Sequence, residues 1–295
     1  MGYHTGSAAD ITAVRDALVT ACVADGWSWD AGSAVLSRGT VFVVLQVSGG
    51  YLTLLGRTAA GSGNAPTVVR IGQIGARPLT FPLTYHAFVF DDEVYLVVRY
   101  SIDWFQWMTF GKSTLSGLPG TGTFVGATGG ATAGASVELF ITPTSGGTVG
   151  LDNGTSGALF WATVAITPSA ENCYVHHDLD GRGWQLTDPA GSYMVGIADS
   201  VPLIGSQPNV WNSESVLLPI RAWAVRPAAK ISLIAELQHA RYMRIDNHEP
   251  GEVIALGTDQ WMVLPWYRKN SSVRNGGSNV THSGTLGWAI RYEGP

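Results

Sequence analysis

The sequence predicts an α+β fold that is mainly β: an N-terminal helix plus antiparallel sheet, followed by an antiparallel β-sandwich or barrel. Three observations lead there. One stretch near the start places apolar residues at helical spacing. Most of the remaining chain alternates short apolar runs with glycine turns, and it carries 37 glycines in 295 residues. Charged residues are 13% and hydrophobic residues 45%, against roughly 25% charged in an average domain, a balance suited to sheets with little charged surface.

The helix comes first. Ser7 or Asp10 can cap it, Ile11, Val14, Leu18 and Cys22 share one face, and Gly26 closes it. After the turn "GWSWDAG", the run "AVLSRGTVFVVLQV" supplies a buried strand over Val41–Leu45, and "GGYLTLLG" is its hairpin partner. "TYHAFVF" and "EVYLVVRYS" are two further strands joined by the acidic turn "DDE". Later candidates are "VELFIT", "ALFWATVAIT", "NCYVHHDL", "GWQLT" and "SYMVGIA". "VLLPIRAWAVR" holds Pro219, which confines it to an edge or a bend. "AKISLIAELQHARYMRID" is ambiguous by type, but the alternation of Ile231, Leu233, Ala235 and Leu237 favours strand. "EVIALGTDQWMVLPWYR" is a hairpin turning at Gly257, Thr258 and Asp259, and "GTLGWAIRYEG" is a last strand. A glycine-rich run, 116–136, divides the chain into an α+β unit over 1–115, a linker or surface arm, and a β-rich unit over 137–295.

The motif "GKST" at Gly111–Thr114 resembles the end of a phosphate-binding loop. Such a loop needs a glycine five positions before Gly111, where Gln106 stands, and the spacers are Trp107, Met108, Thr109 and Phe110. Bulky spacers deny a phosphate the close backbone approach that glycine permits. Net charge is −5 with no basic block, so sequence-specific nucleic-acid binding through a cationic patch is not expected. In "HHDLDGRGW", His176 and His177 would point to opposite faces of a strand, and Asp178, Asp180 and Gly181 read as a polar turn, not a metal site. Asp246, His248 and Glu249 sit together in "RIDNHEPGEV", a turn before Pro250-Gly251. No G-x-S-x-G, H-E-x-x-H or C-x-x-C occurs. A Ser/His/Asp constellation assembles from distant positions, so sequence leaves that class open. No catalytic residue, cofactor or metal site is assigned. Cys22 and Cys173 are expected as buried thiols in a reducing compartment. No signal peptide and no apolar run long enough to span a bilayer is visible.

Aromatic residues crowd two places. Tyr85, Tyr95, Tyr100, Trp104, Phe105, Trp107 and Phe110 form one group, and Trp261, Trp266, Tyr267 and Trp288 the other. Aromatics dominate both cores and subunit interfaces. The interface reading nominates Trp104, Phe105, Trp107, Phe110, Trp266 and Tyr267 as anchors; the plainer reading makes them core residues.

The stretch "FPLTYHAFVFDDEVYLVVRYSIDWFQWMTFGKS", with "MRIDNHEPGEVIALGTDQWMVLPWYRKN" and "SGTLGWAIRYEGP", resembles virion structural proteins of contractile-tailed bacteriophages from the neck, tail or baseplate region. The helix followed by a β-meander is also similar to small tail-terminator and tail-completion subunits, which stack as rings. The resemblance implies a collar, tail-terminator or tail-completion subunit. It would be a ring-forming homo-oligomer, assembled in the host cytoplasm, and bound to tail tube, sheath or neck subunits. It implies no membrane anchor and carries no catalytic motif. A baseplate or a receptor- or carbohydrate-binding tail module is the alternative, with depolymerase activity a remoter one.

Overall fold

The computed structural model describes residues 2–74, 78–131, 141–143, 149–151, 158–160, 172–186, 215–228, 230–245, 247–266, 269 and 286–294. In chain order the elements are β1 (Gly2–Ala8), α1 (Ile11–Ala24), β2 (Ser28–Asp30), β3 (Val35–Arg38), β4 (Val41–Ser48), β5 (Tyr51–Arg57), β6 (Val69–Ile71), β7 (Leu83–Val89), β8 (Glu93–Arg99), β9 (Phe105–Lys112) and β10 (Thr123–Ala127). They continue with β11 (Gly129–Gly130), β12 (Ile141–Pro143), β13 (Val149–Leu151), β14 (Cys173–His176), β15 (Trp184–Leu186), β16 (Leu218–Arg226), β17 (Lys230–Arg244), β18 (Val253–Leu256), β19 (Asp259–Pro265) and β20 (Leu286–Arg291). The fold is α+β and mainly β, as expected.

The helix forms where its face and cap predict it. Asp10 is the cap, its carboxylate accepting from the Ala13 N–H at 2.7 Å, and Val14, Leu18 and Cys22 are buried. Gly26 takes φ +90° just beyond the helix end. A strand precedes the helix. It is β1, paired antiparallel with β7 in the register Tyr3 to Phe88. The Tyr3 ring packs at 5.1 Å from Phe88 and 5.0 Å from Tyr292, which gives this polar-looking stretch an apolar anchor.

Three antiparallel sheets make the body. A seven-stranded sheet runs β1-β7-β8-β9-β10-β14-β15, a six-stranded sheet β11-β6-β5-β4-β3-β2, and a five-stranded sheet β16-β17-β20-β19-β18. Strands β12 and β13 form a separate pair. Alternation along the seven-stranded sheet shows where it sits. Val94, Leu96 and Val98 pack in one core with α1 and strands β3–β6, while Tyr95 and Val97 pack in another with β16, β17, β19 and β20. The same split holds for Met108 and Phe110 against Phe105 and Trp107. The seven-stranded sheet is therefore a middle layer, covered on both faces. A doubly covered strand reads as a near-continuous apolar run, which is why β8, β9 and β10 are buried almost throughout.

This arrangement corrects the expected division of the chain. Thr123–Ala127, inside the run read as a linker or arm, is β10, a buried strand of the middle sheet. The 88–290 core draws residues from both expected units, from Phe88 to Ile290. The runs "SYMVGIA" and most of "ALFWATVAIT" lie outside the described residues. Strand β16 is an edge strand with a register break between Pro219 and Arg221, as its proline requires. Cys22 and Cys173 are both buried, and burial raises the Cys22 thiol pKa.

Candidate functional site

At one end of the middle sheet lies a cleft of about 660 Å³. Its walls are the 113–122 loop, Asp92 and Glu93 at the start of β8, Lys112, His177, and Ile234 and Gln238 on β17. This is where "GKST" falls. Gly111 is on β9, and a Cβ there would lie 2.3 Å from the Asp92 carbonyl oxygen, so glycine lets the 91–92 turn close against the strand. The next four amides are already spent. Lys112 N–H donates to the Asp92 carbonyl at 2.7 Å, Ser113 N–H to Gly122 at 2.9 Å, and Thr114 N–H to Glu236 at 3.0 Å. Leu115 N–H donates to Ser113 Oγ at 3.2 Å. A phosphate cradle needs free amides at a helix N-terminus, whereas these amides serve strand and loop closure.

The loop is held at both ends. Ser113 Oγ accepts from the Glu236 N–H at 3.0 Å, and Thr114 Oγ1 donates to the Glu236 carbonyl at 3.1 Å. Gly122 N–H donates to the His176 carbonyl at 3.0 Å, and Asp178 N–H to the Pro119 carbonyl at 2.8 Å. Gly120, at φ +103°, sits where a Cβ would fall 2.6 Å from His177 Cα. "GKST" thus leads into a clasp joining the middle sheet to the five-stranded sheet.

A buried carboxylate makes the second joint. Glu93 is 1% exposed. Its Oε1 accepts from the Gln238 N–H at 2.8 Å. Its Oε2 accepts from the His239 N–H at 2.9 Å and the Tyr95 hydroxyl at 2.7 Å, with His239 Nδ1 at 2.9 Å. The reason lies in β17. It pairs with β16 at Glu236 and again at Arg241, and with β20 only from Ala240, so the backbone between lacks ladder partners among the described residues. Glu93 takes the orphaned N–H groups, while Arg241 Nη1 donates to the carbonyls of Leu237, Gln238 and Ala240. The His239 ring stacks on Phe90 at 3.9 Å. Burial, helped by the Glu93 charge, raises the Tyr95 phenol pKa well above its usual value. The network is a largely buried polar joint at the edge of the cleft.

The two histidines have different surroundings: His176 ends β14 and His177 follows it. His177 is 2% exposed, while His176 is half-buried with its ring 5.2 Å from Trp184. His177 Nδ1 accepts from the Leu179 N–H at 3.2 Å, and burial lowers the ring pKa to about 4. Asp180 and Gly181 form the corner at φ 60° and 70°, and Arg226 holds the Asp180 carboxylate at 2.7 and 2.8 Å. That hydrogen bond lowers the Asp180 pKa. Among the described residues no group of three His, Cys, Asp or Glu could hold a metal ion, and no helix is long and apolar enough to cross a membrane.

The nominated interface aromatics require a correction. Phe105, Trp107, Phe110 and Trp266 are at most 1% exposed and belong to the cores. Trp107, Trp266 and Trp288 form one cluster, with centroids 4.2 to 5.6 Å apart. Phe110, on the opposite face, meets Trp27 edge-on at 5.4 Å. The physical reason is the double covering of β9, which leaves neither face for a partner. Trp104 is half-exposed and packs against both cores. Tyr267 and Asp246 lie outside the described residues. The buried role of Glu93 was missed because "DDE" reads as an acidic turn. The available signal was its i, i+2 spacing to Tyr95 on a strand apolar from Val94 to Val98.

No family model matches the chain, and no curated protein matches it.

Proposed function

We propose that this chain is a structural subunit of a tailed-phage virion, a collar, tail-terminator or tail-completion protein of the neck or tail that acts by protein–protein assembly. The observation that carries this reading is an exposed apolar side chain beside a strand edge that no described strand pairs. Ile231 is 61% exposed on β17. From Lys230 to Ala235 this strand has β16 on one side and, among the described residues, no strand on the other. An open edge is a template for pairing with another chain. Ile102, 71% exposed beside the half-buried Trp104, offers a second contact. The low charge of the chain supports the same reading, since interface cores are depleted in charge.

The test is sedimentation velocity and negative-stain imaging of the purified protein, with Ile231→Asp beside it. Rings in the wild type support the reading. The variant should keep its melting within about 0.5 kcal/mol and lose the assembly. A wild-type monomer at every concentration that also fails to enter particles sinks the idea, and trimers would favour a receptor-binding tail module.

A further inference from the structure

The turn between β17 and β18 brings three side chains together. Ser215 Oγ, just before β16, lies 2.9 Å from His248 Nε2. Glu252 Oε1 lies 3.2 Å from Nδ1 of the same ring. The Nδ1–Glu252 contact is at ion-pair distance but off the hydrogen-bond axis, so Nδ1 has no aligned acceptor among the described residues. Catalytic hydrogen bonds are often loose before substrate binds. The ring is 7% exposed.

The constellation is held by its own backbone. Glu252 Oε2 accepts from the Glu249 N–H at 3.0 Å, which fixes the carboxylate. His248 N–H donates to Ile245 at 3.1 Å, and Gly251 N–H to Val263 at 2.8 Å, which ties the turn to β19. The three residues line a pocket of about 240 Å³ whose remaining wall includes Leu217, Ile254 and Leu256. That volume is below the roughly 300–1,000 Å³ of drug-sized sites, and among the described residues its wall holds Asn247 and aliphatics but no Lys or Arg to receive an anionic group.

We propose that Ser215, His248 and Glu252 form a nucleophilic site that hydrolyses short-chain acyl esters. His248 Nε2 accepts the Ser215 proton as Oγ bonds to the ester carbonyl carbon. The tetrahedral adduct collapses, the C–O bond to the alcohol breaks, and the alcohol leaves with the proton from Nε2. Water then adds to the acyl-serine, giving its proton to Nε2. Collapse breaks the bond to Oγ, which regains that proton, so the net reaction is ester plus water to acid plus alcohol. Glu252 is a positioning residue: it selects the ring orientation and offsets the charge on the imidazolium. The assembly reading neither requires nor forbids this site.

The test uses the full chain with a fluorophosphonate probe and p-nitrophenyl butyrate. Peptide mass spectrometry should place the adduct on Ser215. S215A should abolish labelling and slow hydrolysis at least ~100-fold, and H248N should do the same, as expected for loss of a nucleophile or its base. E252Q should slow hydrolysis by up to ~10⁴-fold and shift the pH–rate profile, which a purely structural role would leave in place. No adduct on wild-type Ser215, or hydrolysis unchanged in S215A, overturns the proposal. A profile unchanged by E252Q removes Glu252 from the site. The wild-type labelling position decides the main question without relying on any variant's folding.

Discussion

The two faces of the middle sheet are covered in different ways. The face toward α1 and the six-stranded sheet is filled mainly by aliphatics such as Leu18, Val43, Leu54, Leu96 and Val98. Most of its residues come from the first 127 positions. The face toward the five-stranded sheet is filled by rings, among them Phe88, Tyr95, Trp107, Tyr242, Trp266 and Trp288, drawn from Phe88 to Ile290. The aliphatic side is local in sequence; the aromatic side joins segments far apart. The aromatic side also carries the polar joints, Glu93 to β17 and Ser113 to Glu236. A strand whose pairing lapses midway, as that of β17 does between Glu236 and Arg241, leaves backbone groups open, and something must satisfy them. Non-local pairing is slow to form, so the aliphatic side should fold first.

The largest test of this comparison is the aromatic cluster. Trp107→Ala should cost about 3–5 kcal/mol in urea unfolding, with Leu96→Ala on the other face toward the lower end of about 2–5 kcal/mol. A Trp107 variant that melts like wild type yet fails to assemble would restore the interface reading and break the contrast.

Next comes Glu93→Ala. It removes the acceptor of the Gln238 and His239 N–H groups, the second of them buried, and the expected loss is about 3 kcal/mol. The measurement is chemical denaturation, paired with hydrogen exchange at those two amides. Protection that survives the substitution would mean that another acceptor replaces the carboxylate.

Gly120→Ala tests the clasp alone. Its φ of +103° and the 2.6 Å approach to His177 Cα leave no room for a methyl group, so a loss of about 2 kcal/mol is expected. Limited proteolysis should then cut within 113–122. A variant as resistant as the wild type would show that the loop relaxes without cost.

The smallest effect is in pH. His177 has its pKa lowered from 6.5 to about 4 by burial. The unfolded state binds its proton first, so this contribution is complete above the unfolded pKa and is lost as pH falls from about 6.5 to about 4. His177→Gln should flatten the stability curve across that window. An unchanged slope would assign the acid sensitivity to other groups, such as His86, whose pKa burial also lowers to about 4.

Much of this molecule was readable from its residues. The helix face and its Asp10 cap, the hairpins at Gly49-Gly50 and Gly257-Thr258, and the bend at Pro219 follow from local chemistry, because turn and cap residues act within a few positions. The absence of a phosphate loop at "GKST" followed from Gln106 and its bulky neighbours. What local chemistry could not decide was the number of layers. An aromatic run such as "FQWMTFG" reads alike whether its second face meets a partner subunit or a third sheet. That third sheet is built from strands more than a hundred residues away. The same distance hid the carboxylate of Glu93 under β17 and the clasp at Ser113, and a gap of 33 residues hid the approach of Ser215 to His248. Spacing and alternation orient a side chain on its own strand. Which atoms stand opposite is decided only when the sheets close on one another.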